Sequence, residues 1–141
     1  MIYYNFKTKY YFNINKKNYL INANKKKLGR LSSNVIKLII NKNNIKYTPN
    51  YNNINNIIII NANKIIYNKN KIYYKYTGYI GNKKKFTALN IFNKNPSLLL
   101  KLSIFRMLPK NLLGKYAKKK IYIYNNNIYK KKFINIIEYK I

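Results

Sequence analysis

Three stretches decide the fold: Tyr19-Leu20-Ile21-Asn22-Ala23, the run Leu28-Gly29-Arg30-Leu31-Ser32-Ser33-Asn34-Val35-Ile36-Lys37-Leu38-Ile39, and Ile57-Ile58-Ile59-Ile60. The first is short and apolar-rich, suited to a strand, and Asn24-Lys25-Lys26-Lys27 follows it as a turn. In the second, Leu28, Leu31, Val35, Leu38 and Ile39 recur at the steps of one helical face, and Asn41 to Asn44 ends it. The third is a continuous β-branched run, as a strand buried on both faces requires. Strand, helix and strand in so short a span predict a βαβ unit with a right-handed parallel crossover.

Outward from this unit the rarer letters punctuate the chain. Residues 64–67 and 72–75 flank Asn68-Lys69-Asn70-Lys71 and read as a hairpin or a pair of short strands, and residues 76–85 read as a loop. A short helix is expected between Thr87 and Phe92. Pro96 suits the first position of a longer one whose apolar face is Leu98, Leu99, Leu102, Phe105 and Leu108, stopped by Pro109. A further helix is expected around 112–119 and a last strand at 121–124. Periodic apolar faces interrupting an Asn-rich background predict a folded α/β domain rather than a low-complexity tract.

Composition excludes most chemistry. Of 141 residues, 28 are Asn, 28 Lys, 25 Ile and 17 Tyr; Lys and Arg number 30 against a single acid, Glu138, and there is no His, Cys or Trp. No acid–base pair, nucleophile–base pair or metal cage can be assembled from that inventory, so the chain reads as neither an enzyme nor a metalloprotein, and no cofactor is expected. The formal charge of +29 calls for an anionic polymer, which turns self-repulsion into binding energy. An AT-rich genome accounts for the Asn and Ile excess but not for the near absence of acids. The longest aliphatic run falls far short of the roughly 20 residues of a spanning helix, and the N-terminus has no continuous apolar region of a secretory signal.

Four basic clusters sit at turns and element ends: Lys25, Lys26 and Lys27 with Arg30; Lys83, Lys84 and Lys85; Lys110 with Lys115, Lys118, Lys119 and Lys120; and Lys130 to Lys132. Any one of them is equally a solvated face or a set of phosphate contacts; four on the loops of a nearly acid-free domain favour nucleic acid. Tyr73, Tyr74, Tyr76 and Tyr79 interleave with lysines, a pattern suited to stacking on unpaired bases or to covering one face of a hairpin. Thr77-Gly78-Tyr79-Ile80-Gly81-Asn82 is a glycine-containing loop in which backbone N–H groups can approach a phosphate; it lacks the ending of a P-loop.

Five segments then fall into a set: Leu28-Gly29-Arg30-Leu31-Ser32-Ser33; Tyr47-Thr48-Pro49; Ile60-Asn61-Ala62-Asn63-Lys64; Tyr73 to Gly81; and Met107-Leu108-Pro109-Lys110-Asn111-Leu112-Leu113-Gly114-Lys115. In order and spacing they resemble the bacterial-type large-subunit ribosomal protein L-thirteen family over about residues 18–124. The resemblance implies an α/β fold: a single three-layer α/β/α domain with a mostly parallel four-stranded sheet, Lys-rich loops and terminal extensions. The division expected is a basic arm over 1–17, the domain over 18–124 and a basic tail over 125–141. It implies binding to large-subunit ribosomal RNA, early entry into assembly, and neighbouring large-subunit proteins, with no membrane and no small-molecule substrate. The expected location is the ribosome of a bacterial cytoplasm or of an organelle with bacterial-type ribosomes.

Carried over by motif, the RNA-facing candidates are Arg30; Lys46, Tyr47 and Thr48; Tyr76, Thr77, Gly78, Tyr79 and Gly81 with the lysines that follow; and Arg106 through Lys115, including Lys110. Leu28, Leu31, Leu102 and Leu108 read as core. Family members often carry histidines where this chain has Lys75, Tyr76 and Tyr79, and acids where it has Asn22, Asn53 and Asn56, so Tyr stacking, Lys charge and neutral amides are expected in their place. The alternative function is a regulatory RNA-binding protein that represses its own message. A DNA-coating or membrane-surface polycation is a further rival.

Overall fold

A computed structural model of the chain describes residues 16–45, 47–49, 54–129 and 131–141. Strand β1 (Asn18–Asn22), helix α1 (Leu28–Ile39) and strand β2 (Asn56–Ile60) follow the expected order, and β1 and β2 pair in parallel with Leu20 beside Ile58. Leu28, Leu31, Val35, Leu38 and Ile39 are all buried, as their spacing requires. Burial of each such side chain stabilises the fold by about 1.5–3 kcal/mol. Helix α1 ends because Asn41 takes a left-handed backbone (φ 63°) that asparagine tolerates. Its N–H donates to Leu38 O and that of Lys42 to Lys37 O, the paired bonds that satisfy a helix C-terminus. Asn55, buried, then ties this end to β2, its amide donating to Leu38 O at 2.7 Å.

The next elements are strands β3 (Ile72–Tyr76) and β4 (Lys83–Thr87), then helices α2 (Ala88–Lys94), α3 (Pro96–Met107) and α4 (Leu112–Lys119), and strand β5 (Ile121–Ile123). Neutral side chains cap all three helices: Thr87 accepts from Asn90 N, Asn95 from Ser97 N and Asn111 from Gly114 N. An N-cap needs an acceptor oxygen, not a charge, so asparagine fills the place of aspartate without adding an anion.

Two expectations need correction here. The hairpin is β3–β4, antiparallel with Tyr73 opposite Phe86, and not a pairing of residues 64–67 with 72–75. Ala62–Lys64 is instead a 3-10 turn, and Ile66 bridges Lys27 in parallel. The loop expected over 76–85 is correspondingly shorter, residues 77–82, because Lys83, Lys84 and Lys85 lie in β4. A lysine run shows no apolar alternation, so its pairing is set by the partner strand. In addition, α3 turns a different face inward: Leu99, Leu100, Ser103 and Ile104 are buried, while Leu102, expected in the core, is half-buried and Leu98 exposed. Ser103 Oγ meets Ser32 Oγ of α1 at 2.9 Å, which brings that face against α1.

With a last strand β6 (Ile136–Glu138), the main sheet runs β5-β2-β1-β6, all of it parallel. Strand β6 comes from the stretch expected as a basic tail, and Glu138 lies beside Leu20. Ile21, Ile57 and Ile59 form one core cluster with the buried residues of the helices. Ile58 points to the opposite face and is 0% exposed. On that face Tyr122, beside Ile58, is covered by Phe133 (ring centroids 5.1 Å apart), and Lys131 Nζ donates to Tyr122 Oη at 3.1 Å. The single α/β domain and four-stranded parallel sheet are thus as expected.

Candidate nucleic-acid interface

Because the strands are parallel, each end of the sheet collects one kind of loop. At the C-terminal end, Lys25, Lys26 and Lys27 form the turn into α1, with Lys25 in a left-handed conformation (φ 54°) and Lys27 as the helix N-cap. Backbone bonds hold this turn to the 3-10 segment: Lys25 N donates to Lys64 O at 3.0 Å and Ile66 N to Lys26 O at 3.0 Å. Arg30 is exposed one turn into α1, whose first turn holds no acid and whose N-cap makes no side-chain bond. The positive end of the helix dipole is therefore surrounded by cations, an arrangement that favours an anion. Lys26 is partly committed, since its Nζ donates to Ile141 O.

The same end carries an asparagine network. Asn22 Oδ1, at the position where the resembling family often has an acid, accepts from Asn24 N and Asn61 Nδ2, each at 3.0 Å. Asn125 Oδ1 accepts from Ser97 N at 3.0 Å and its amide donates to Asn95 Oδ1 at 3.3 Å. The neutral amide expected at Asn22 is thus a structural acceptor, and the network shows the same of Asn95 and Asn125, which the Asn excess of the composition concealed.

The β3–β4 hairpin sorts its tyrosines by face. Tyr73 is buried beside Phe86, whereas Tyr74, Tyr76 and, in the loop, Tyr79 are exposed. Tyr73 thus covers the inner face of the hairpin, while the other three leave their rings open to solvent. Lys83 Nζ lies 3.9 Å from the Tyr74 ring centroid and 5.6 Å from that of Tyr76, so an ammonium group already rests on this aromatic surface. Gly78 (φ 100°) and Gly81 (φ 73°) turn the loop through backbone conformations that a side chain would strain. Thr77 Oγ1 donates to Asn82 O at 3.1 Å and closes the turn. Lys83, Lys84 and Lys85 are exposed along β4.

Arg106 ends α3 against this hairpin. Its Nη2 donates to Tyr74 O at 3.0 Å and its guanidinium carbon sits 4.8 Å from the Tyr73 ring centroid. Burial raises the Tyr73 hydroxyl above the usual phenol range, and the Arg106 charge opposes this in part. The next residues along α3 meet another motif: Tyr47 and Pro49 share a cleft with Met107, Pro109 and Gly114. Gly114 is required there, because a Cβ at that position would lie 1.8 Å from Pro109 O. Thr48 Oγ1 and Tyr73 Oη are buried without a hydrogen-bond partner among the described residues.

The structure thus brings the hairpin, Arg106, Tyr47, Thr48 and the segment from Met107 to Lys115 together. Lys110 and Lys115 are exposed there. Lys118, Lys119 and Lys120 lead into β5 and so lie at the N-terminal end of the sheet, opposite Lys25, Lys26, Lys27 and Arg30. Lys118 is half-buried, its Nζ 5.4 Å from the Phe105 ring centroid. Lys46 and Lys130 lie outside the described residues. Exposed cations therefore lie on the turn into α1, on the separate β3–β4 sheet, and along the segment from Lys110 to Lys119.

A parallel α/β sheet with lysine-rich loops at both ends, and no group of three or more His, Cys, Asp or Glu side chains among the described residues, defines a basic α/β domain built on uncharged polar connections. No helix among those residues is long and apolar enough to cross a membrane. Residues 16–130 match the family model described as ribosomal protein L13, and the chain belongs to that family. The protein named large ribosomal subunit protein uL13 from Thermosipho africanus is 41% identical over 110 residues, covering 75% of this chain and 74% of that one. Its namesake from Levilactobacillus brevis is 39% identical over 115 residues (79% and 78%), and that from Staphylococcus aureus 39% over 116 (79% and 80%). The family is structural, of bacterial type in these relatives, and the chain is not an enzyme.

Proposed function

We propose that the chain binds large-subunit ribosomal RNA, supports folding of the large subunit during assembly, and resides in a bacterial-type ribosome beside other large-subunit proteins. The observation that carries this reading is the placement of exposed cations, with no acid beside them in the chain, on the turn into α1, the β3–β4 hairpin and the segment from Lys110 to Lys119, a spread suited to holding separate RNA segments. Lysines neutralise phosphates there without reading sequence, while the hairpin tyrosines offer stacking surfaces to unpaired bases. If about six phosphates are engaged, affinity falls roughly a thousandfold between about 50 and about 200 mM salt for duplex-like sites and less steeply for single strands.

The test is incorporation. Tagged wild-type chain is expected to sediment with large-subunit particles, with crosslinks to their RNA, and Arg30→Glu to impair incorporation more than Lys9→Glu. Equal incorporation of both variants, or sedimentation with nucleoid or membrane, counts against the reading. A gel shift in which the leader of its own message outcompetes a ribosomal RNA fragment would favour the regulatory function instead.

A further inference from the structure

We propose that the cleft between the β3–β4 hairpin and helix α3 receives the base of an unpaired RNA nucleotide. This rests on the RNA-binding reading and names a base subsite within it. The cleft has a volume of ≈ 850 Å³, inside the range of roughly 300–1,000 Å³ typical of pockets that enclose small molecules. Its lining is largely apolar, with Tyr73 and Phe86 from the hairpin, Ile91 from α2, and Leu98 and Leu102 from α3. Leu98 is 41% exposed on a helix whose next two residues are almost fully buried, so α3 carries apolar surface on a second face that its own chain leaves partly uncovered.

Charge decides the occupant. Lys75, Lys94 and Arg106 are part of the lining, and no carboxylate is; the single acidic side chain, Glu138, lies in β6 of the other sheet. Asn90 and Asn93 complete the lining with exposed side chains. Each amide offers both a donor and an acceptor, the complement a base edge requires. A largely apolar cleft whose lining also holds aromatic rings, amides and cations suits a splayed nucleotide, with the ring on the apolar side chains, the base edge on the amides and the phosphate on the lysines. An apolar peptide would fill the cleft yet leave Lys75 and Lys94 unanswered.

The test compares the full chain's affinity for nine-nucleotide oligoadenylate and oligouridylate with that for a base-free ribose-phosphate oligomer of equal length. At least one base-bearing strand is expected to bind about tenfold more tightly than the base-free one, within the range of one stacked base. Leu98→Trp, which fills the cleft, is expected to abolish that preference while leaving base-free binding unchanged. Asn93→Ala, on an exposed position, is expected to reduce the preference severalfold without altering the melting temperature. A preference that survives Leu98→Trp overturns the subsite and leaves RNA binding standing, whereas failure of all three oligomers to bind overturns both. In assembled large subunits, a diazirine-bearing side chain at position 98 is expected to label one unpaired nucleotide; labelling of a neighbouring protein instead overturns the proposal.

Discussion

The guanidinium of Arg106 donates to the carbonyl of Tyr74 at 3.0 Å, fastening the end of α3 to the hairpin that carries the exposed tyrosines. The same group lies over the Tyr73 ring, so one side chain joins the end of α3 to both the backbone and an aromatic ring of the hairpin. Arg106→Ala should cost about 1–2 kcal/mol, the sum of one hydrogen bond and one cation–π contact. Urea unfolding measures it, and no change in midpoint would show that the hairpin is held by its apolar pairing alone. Arg106→Lys should recover less than half, since an ammonium lacks the planar fork.

Tyr73→Phe removes a buried hydroxyl that has no partner among the described residues. At neutral pH the variant should be at least as stable as the wild type, by up to about 1 kcal/mol. Its advantage should grow with alkali. The folded phenol is raised above its unfolded value, so the folded state holds more protons near and above pH ~10, and stability falls as pH rises through that range. Parallel alkaline melts of the two proteins should separate above that pH, and parallel curves would sink the argument.

Gly114 and Gly29 make opposite predictions. A Cβ at Gly114 would collide with Pro109 O, whereas one at Gly29 meets nothing within 4 Å. Gly114→Ala should lose about 2 kcal/mol or more, because backbone must move. Gly29→Ala, in α1, should gain about 0.5–1 kcal/mol from helix propensity. Thermal denaturation of the pair checks both signs.

Asn22→Asp separates stability from binding. The aspartate keeps the acceptor that receives Asn24 N and Asn61 Nδ2, now charge-assisted, and should stabilise the fold by up to about 1 kcal/mol. It also places an anion beside the turn of Lys25, Lys26 and Lys27. RNA affinity at low salt should fall severalfold, and an unchanged affinity would show that this turn faces away from RNA.

Much of the candidate interface was legible in sequence because glycine, proline and arginine punctuate an otherwise uniform alphabet. Pro96 starts α3 and residues 112–119 form α4 as expected. Leu102 misled because α3 is apolar on two faces, and periodicity alone cannot say which meets α1; the Ser32–Ser103 contact settles that in space. The strand of Lys83, Lys84 and Lys85 was invisible for a related reason, since only Phe86 facing Tyr73 gives that segment an inward side.

By itself the sequence determined the βαβ core, the helix positions and the cationic, acid-poor character, because each is written in contiguous residues as a period, a cap or a charge. Tertiary structure decided what depends on distant partners. Strand β6 exists because Leu20 and Glu138 become neighbours, and the cleft exists because α3 leaves Leu98 outside. The basic clusters fall at opposite ends because parallel strands send successive loops to fixed edges of the sheet. Three short β6 residues carry too little local preference to announce a strand, and their pairing is supplied by a sheet already built.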